Sequence, residues 1–125
     1  MGRNAELGRS GEQVAATYVA RLGWCVLARN WHPADRTLRG ELDIVAADGT
    51  DLVVCEVKTR SGTGAGGPLD AVTPRKLAQL RRLAGAWLAE HAGAHHRVVR
   101  FDVIGLLWRD PAIAPTIEHR RDIGF

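Results

Sequence analysis

Gly40-Glu41-Leu42-Asp43-Ile44-Val45 and, past a turn, Val54-Cys55-Glu56-Val57-Lys58-Thr59-Arg60 decide how this chain folds. The turn between them, Asp48-Gly49-Thr50-Asp51, holds the Asp-Gly pair that favours a tight hairpin, so residues 41–47 and 52–59 are expected to be its strands. Side chains alternate across a strand, which puts Glu41 with Asp43 on one face and Glu56 with Lys58 on one face. A turn on Gly49-Thr50 sets Asp43 opposite Glu56 and Glu41 opposite Lys58. A turn on Asp48-Gly49 slides the register and still leaves all four on one side. Leu42, Ile44, Val53, Cys55 and Val57 are then expected on the opposite, core-facing side.

Three carboxylates crowded onto one face repel one another. A hard divalent cation relieves that repulsion, and Mg²⁺ typically takes one or two carboxylates while keeping waters for a substrate phosphate. A neighbouring lysine suits phosphodiester hydrolysis, because it can orient the attacking water and stabilise charge growing on the phosphoryl oxygens. A solvated hairpin face with cross-strand Glu–Lys pairs would show the same residue types. Strand 52–57 favours the first reading. It is apolar on both faces as far as Val54, as a central strand is, and charges at the end of a central strand need a reason that charges on an edge do not.

Outside the hairpin, Leu7, Gly11, Val14, Ala15, Tyr18, Val19 and Leu22 recur at helical spacing, with Gly23 as the stop. Ser10 and Gln13 could form a capping box, or the helix could start a turn earlier, near Asn4. Residues 24–28 read as a short strand and 30–39 as a polar loop. Thr73-Pro74 supplies an N-cap and a first-turn proline for a second helix ending near Glu90, with Leu77, Leu80, Ala84, Trp87 and Leu88 as its apolar stripe. Residues 97–108 read as a last long strand, and 116–118 as an edge strand in the tail. The order α-β-β-β-α-β describes an α/β domain, a mixed central sheet flanked by helices, spanning residues 1–125.

Composition sets the remaining bounds. A chain of 125 residues fits one core, and 46% hydrophobic with 25% charged residues is the balance of a globule, not a disordered chain. The longest apolar run, 103–108, is far too short to span a membrane. The first six residues lack the apolar run of a secretory signal, so a cytoplasmic protein is expected. Cys25 and Cys55, without CxxC spacing, are expected to be buried free thiols. The net charge of +3 lies wholly in the second half of the chain. Of the 17 basic residues only Lys58 and Lys76 are lysine; the other 15 are arginine. Codon bias explains such a ratio, yet an ammonium and a guanidinium are not equivalent in a tight site.

Asp43 with Glu56-x-Lys58 across a hairpin, behind a helix carrying Glu12, resembles the PD-(D/E)xK nuclease superfamily, in particular its Holliday-junction-resolvase-like branch. The fuller set Gly11-Glu12, Asn30, Gly40-Glu41-Leu42-Asp43, Glu56-Val57-Lys58-Thr59-Arg60, Ala71-Val72, Lys76, Arg100-Phe101-Asp102 and Phe125 resembles the YraN-like family of small bacterial proteins, nearly end to end. The resemblance implies a restriction-endonuclease-like fold. It implies Asp43 and Glu56 as ligands of Mg²⁺ or Mn²⁺, Lys58 as catalytic lysine, Glu12 as the helix carboxylate completing the site, and Glu41 as an auxiliary acid. No proline precedes Asp43, a departure this branch usually shares.

The expected function is therefore a metal-dependent endonuclease acting on structured DNA, double-stranded or branched, with a homodimer expected by analogy with resolvases. The alternative is a non-catalytic nucleic-acid-binding or partner-recruiting module on the same fold. Arg75, Lys76, Gln79 and Arg82 form a polar stripe on the second helix, suited to a phosphate backbone or simply to solvent; Arg60 follows the catalytic lysine. Glu12 either leans toward the sheet or is a first-turn Glu favoured by the helix dipole. The glycine-rich stretch 61–68 is a flap or a bare connection. Asp102 is expected to pair with Arg100, Trp31 to contact a partner, and His32, His95, His96 and His119 have no assigned role.

Overall fold

The computed structural model describes residues 2–62, 70, 72–91 and 98–124, with side chains from residue 9 onward. Its elements are α1 (Gly2–Arg21), β1 (Cys25–Trp31), β2 (Leu42–Asp48), β3 (Asp51–Ser61), α2 (Pro74–Glu90), β4 (Val99–Trp108) and β5 (Thr116–Arg120). The strands form one open sheet in the order β1-β2-β3-β4-β5. All neighbours are antiparallel except β3 and β4, whose parallel pairing needs a crossover, and α2 provides it.

Turn chemistry sets the hairpin register. Asp48 pairs with Asp51 and Ile44 with Cys55, so the turn falls on Gly49-Thr50, with Gly49 in the left-handed region (φ 59°). β3 is the middle strand, as its two apolar faces suggest. That centrality also corrects the expected one-sided core. Ile44, Val53 and Cys55 pack with Ala15 and Val19 of α1, whereas Leu42, Val45 and Val54 pack with Leu80, Leu83 and Trp87 of α2. A sheet covered by a helix on each face needs apolar side chains on both. Leu42, two residues before Ile44, nevertheless lies in the other core, because it stands beyond Ile44, where the β2–β3 pairing and its regular alternation stop.

The helices depart from expectation at their ends. α1 begins at Gly2, so Ser10 and Gln13 lie inside it and cap nothing. Glu12 is likewise mid-helix, which removes the first-turn dipole reading. Leu22 lies past the helix end, 41% exposed, where Gly23 (φ 92°) turns the chain. α2 starts as expected: Thr73 Oγ1 accepts from Lys76 N at 3.1 Å, and Pro74 occupies the first turn. β1 runs through Asn30 and Trp31, which were expected in a loop. Trp31 packs edge-on against Trp87, centroids 5.4 Å apart, so its half-buried ring is engaged within the fold. Cys25 is exposed and only Cys55 is buried. Residues 63–69, and with them most of the glycine-rich stretch, lie outside the described residues, as do His95 and His96.

Asp102, fully buried in β4, ties the far end of the fold together. It accepts from Arg100 Nε and from Asp122 N, each at 3.0 Å, and lies 2.8 Å from His119 Nε2; His119 Nδ1 is in turn 2.8 Å from Tyr18 Oη. Arg100 also reaches Asp48 at 3.3 Å and Asp51 at 3.9 Å, pinning both ends of the hairpin turn to β4. The Arg100–Asp102 pair is thus structural, and His119 gains the role of joining β5 to α1.

Gly11 sets how closely α1 approaches β3. It is buried, and a Cβ there would overlap Thr59 Oγ1. Gly11→Ala is expected to destabilise the fold by about 1–3 kcal/mol, the usual range for overpacking. Adding Thr59→Ala should recover part of that loss. Urea denaturation of the two variants checks both, and an unchanged midpoint in Gly11→Ala would refute the close approach.

Candidate functional site

The site is built where β2 stops and β3 continues. The β2–β3 pairing runs as far as Ile44 and Cys55, and the next backbone donor, Val57 N, is taken by a side chain: Asp43 Oδ2 accepts it at 2.9 Å. β3 then runs on beside β4 alone, Lys58 next to Gly105 and Arg60 next to Leu107. This overhang presents Glu56, Lys58 and Arg60 on one face by strand alternation.

The close Gly11–Thr59 approach brings the next residue of α1, Glu12, to this overhang. One carboxylate oxygen from each of Glu12, Glu41 and Asp43 lies within 4.8 Å of the others. Oxygens sharing one Mg²⁺ lie at most about 4.2 Å apart, twice the usual bond length, so small side-chain adjustments suffice for a common ion. Glu56 is not a member of that trio. Its carboxylate, with a side chain only 13% exposed, pairs with Lys76 of α2, Nζ to Oε2 at 3.4 Å.

Neighbours fix each acid. Asn30 Nδ2 donates to Glu12 Oε2 at 2.7 Å from a left-handed backbone (φ 50°), a conformation that asparagine tolerates better than most residues. His32 Nε2 lies 3.2 Å from Glu41 Oε2, and its Nδ1 lies 3.2 Å from the Gly40 carbonyl. Gln79 Nε2 donates to the Arg39 carbonyl at 3.1 Å, and Gly40 (φ 111°) leaves room for that amide. The segment carrying Glu41 is thus clamped from two sides.

The electrostatics follow from this crowding. Burial pushes the Asp43 carboxyl up to about 8, helped by the adjacent Glu56 and Glu12 and opposed by the Val57 N–H. Glu12 is raised as well, first by partial burial and then by Glu41 and Glu56, with Arg29 pulling the other way. These acids hold protons at a pH where ordinary carboxylates have lost them. A hard cation would relieve the same repulsion with oxygen ligands alone, so the donor set fits one.

The structure therefore brings Glu12, Glu41, Asp43 and Glu56 together. Lys58 is exposed on the same overhang and, among the described residues, has no ion pair. Lys76, expected on a solvent or phosphate-facing stripe, turns to Glu56. Gln79 spends its amide on the Arg39 carbonyl. Arg75 and Arg82 are exposed. Sequence reasoning missed the supporting roles of His32 and Asn30. Both contacts depend on the course of 30–40, which a propensity argument reads only as loop.

The model of the family described as Uncharacterised protein family UPF0102 matches residues 11–106, a span that holds all four carboxylates and both lysines. A UPF0102 protein of Acidothermus cellulolyticus is 55% identical over 124 residues, covering 92% of this chain and 90% of that protein. Another, from Frankia alni, is 52% identical over 115 residues, covering 92% and 91%. A third, from Streptomyces coelicolor, is 47% identical over 123 residues, covering 98% and 92%.

The raised Asp43 makes metal-free stability fall with pH. The folded protein keeps a proton that the unfolded chain releases near its ordinary value of about 4. Stability is then greatest below that value, declines as pH rises, and levels off above about 8. In EDTA, Asp43→Asn should lack this decline and melt several degrees above the wild type at pH 8, while the two differ far less at pH 4. Parallel melting-temperature curves for the two proteins would refute the buried acid.

Proposed function

The chain belongs to the Uncharacterised protein family UPF0102, and we propose that it is a metal-dependent endonuclease that hydrolyses phosphodiester bonds in structured DNA, on a restriction-endonuclease-like fold. The observation that carries this reading is the convergence of Glu12, Glu41 and Asp43 at the end of the central strand, beside Glu56 and Lys58. Burial and neighbouring acids raise Asp43 and Glu12, a crowding that a divalent ion would relieve. The order α1-β1-β2-β3-α2-β4, with a parallel β3–β4 pair bridged by α2, supports the fold assignment.

Glu12, Glu41 and Asp43 would hold Mg²⁺ or Mn²⁺, and Glu56 would join them as a ligand once freed from Lys76. Bound there, the ion would supply Lewis-acid stabilisation of charge on the phosphoryl and leaving oxygens. Lys58, exposed on the overhang, orients the attacking water and adds positive charge beside the scissile phosphate. Val57 N–H keeps the Asp43 carboxylate aimed at the shared centre. Arg75 and Arg82 on α2 supply sequence-independent backbone contacts, with Arg60 further along β3. A compact ammonium on a short overhang cannot be replaced by a forked guanidinium without moving its charge.

Purified protein incubated with branched, flapped and linear duplexes in Mn²⁺ is expected to cleave one of them. Asp43→Ala and Lys58→Ala should each lower the rate at least about a hundredfold, and Lys58→Arg at least about tenfold. Cleavage that survives both alanine variants would remove the site assignment. DNA binding without cleavage, unaltered by Asp43→Ala, would instead assign a binding module on the same fold.

A further inference from the structure

Two features of Lys76 go together. Its ammonium lies 3.4 Å from Glu56, the acid that adjoins the metal trio without belonging to it. It also stands in the first turn of α2, whose cap is Thr73 and whose first turn carries Arg75 and Lys76 but no acid. The positive end of a helix repels cations, so local preference disfavours both residues there. A pair of charges that breaks the local rule is held by something tertiary, and for Lys76 that partner is Glu56. The Lys76 side chain is a third exposed where Glu56 is only 13% exposed, so the ammonium meets the acid from the solvent side.

We propose that Lys76 is a displaceable stand-in cation. It occupies Glu56 while the site lacks a divalent ion, and is released onto a phosphate of the substrate backbone when the ion binds. This rests on the nuclease reading above and adds to it a coupling between metal loading and DNA capture. The helix end favours the hand-over, because an anionic phosphodiester relieves the repulsion that α2 exerts on its own Lys76. An ammonium held at Glu56 is drawn back from a passing phosphate and partly neutralised, so its contribution to DNA binding depends on the metal.

The test measures two equilibria. Mn²⁺ titration, followed by the loss of the free-ion paramagnetic signal, should show Lys76→Met binding the ion about two- to fivefold more tightly than wild type, since a competitor for Glu56 is gone. Lys58→Met removes an equal charge with no ion pair to Glu56 and should shift the affinity less. In a Glu56→Gln background, Lys76→Met should have no effect. Branched duplex DNA, bound in Ca²⁺ and again in EDTA, should lose about two- to fivefold in affinity on Lys76→Met in Ca²⁺ and little in EDTA. Retained helical signal and a cooperative melt establish that each variant is folded. Equal loss with and without Ca²⁺, an unchanged Mn²⁺ affinity in Lys76→Met, or tightening that persists without Glu56 would overturn the stand-in role and leave the nuclease reading standing. Absence of Mn²⁺ binding by the wild type would overturn both.

Discussion

The Asp43 carboxylate is drawn in two directions, and the rest of the site depends on how that conflict is arranged. Accepting the Val57 N–H favours its charged form and closes the backbone ladder at the point where β2 ends. Burial and the nearby Glu56 and Glu12 favour its neutral form. Only because the first unpaired donor of β3 is satisfied by this side chain can the strand run on to Lys58 and Arg60 without a second neighbour on that side. The hydrogen bond that builds the overhang is also the one that fixes the acid within the cluster.

Around that carboxylate the fold spends polar groups on position. Glu12 comes from α1, Glu41 from the segment before β2, and Glu56 from β3, so no local element assembles the site alone. Gly11 lets α1 lie directly on Thr59, and Asn30, in an uncommon backbone conformation, holds Glu12 by its amide. His32 and Gln79 hold the segment of Glu41 from the loop and from α2. At the other end, Arg100 does the opposite work. There three aspartates share one guanidinium, and the result is a brace for the hairpin turn. The two clusters contain similar acids, and what separates them is the reach of the cation: Arg100 contacts all three aspartates, whereas Lys76 contacts Glu56 alone.

Much of this was legible from the residues alone. Asp48-Gly49-Thr50-Asp51 limits the hairpin to two neighbouring turns, of which the structure takes the one on Gly49-Thr50, and the doubly apolar start of β3 marks it as central. Thr73-Pro74 marks the start of α2. The misses share a physical cause, since each depends on tertiary neighbours. Leu42 was assigned to the face of Ile44 by regular alternation, which local sequence cannot show to end with the β2–β3 pairing at Ile44. Trp31 looked available because nothing in a polar stretch reveals Trp87 behind it. Glu12 lost its first-turn reading because α1 starts at Gly2, close to the earlier of the two starts, near Asn4, that the sequence left open. The carboxylates were found because their spacing along strands is chemical. Their supports were not, because Asn30 and His32 act through a chain path that local propensity does not specify.

The scarcity of lysine bears on the same contrast. Where a cation must brace several aspartates at once, the chain uses a guanidinium, and Arg100 shows why: a planar fork reaches Asp102 through Nε while another nitrogen reaches Asp48. A fork of that kind at position 76 would hold the Glu56 carboxylate through paired hydrogen bonds, a tighter grip than a site needing that carboxylate for another cation could use. An ammonium makes a single, longer contact, here 3.4 Å, with a third of its side chain still exposed. It neutralises Glu56 without committing it. Lys58, on the overhang, likewise offers a point charge with no ion pair among the described residues. On the proposed metal reading, the chemistry of a cluster that stays open to a cation accounts for where the two lysines stand.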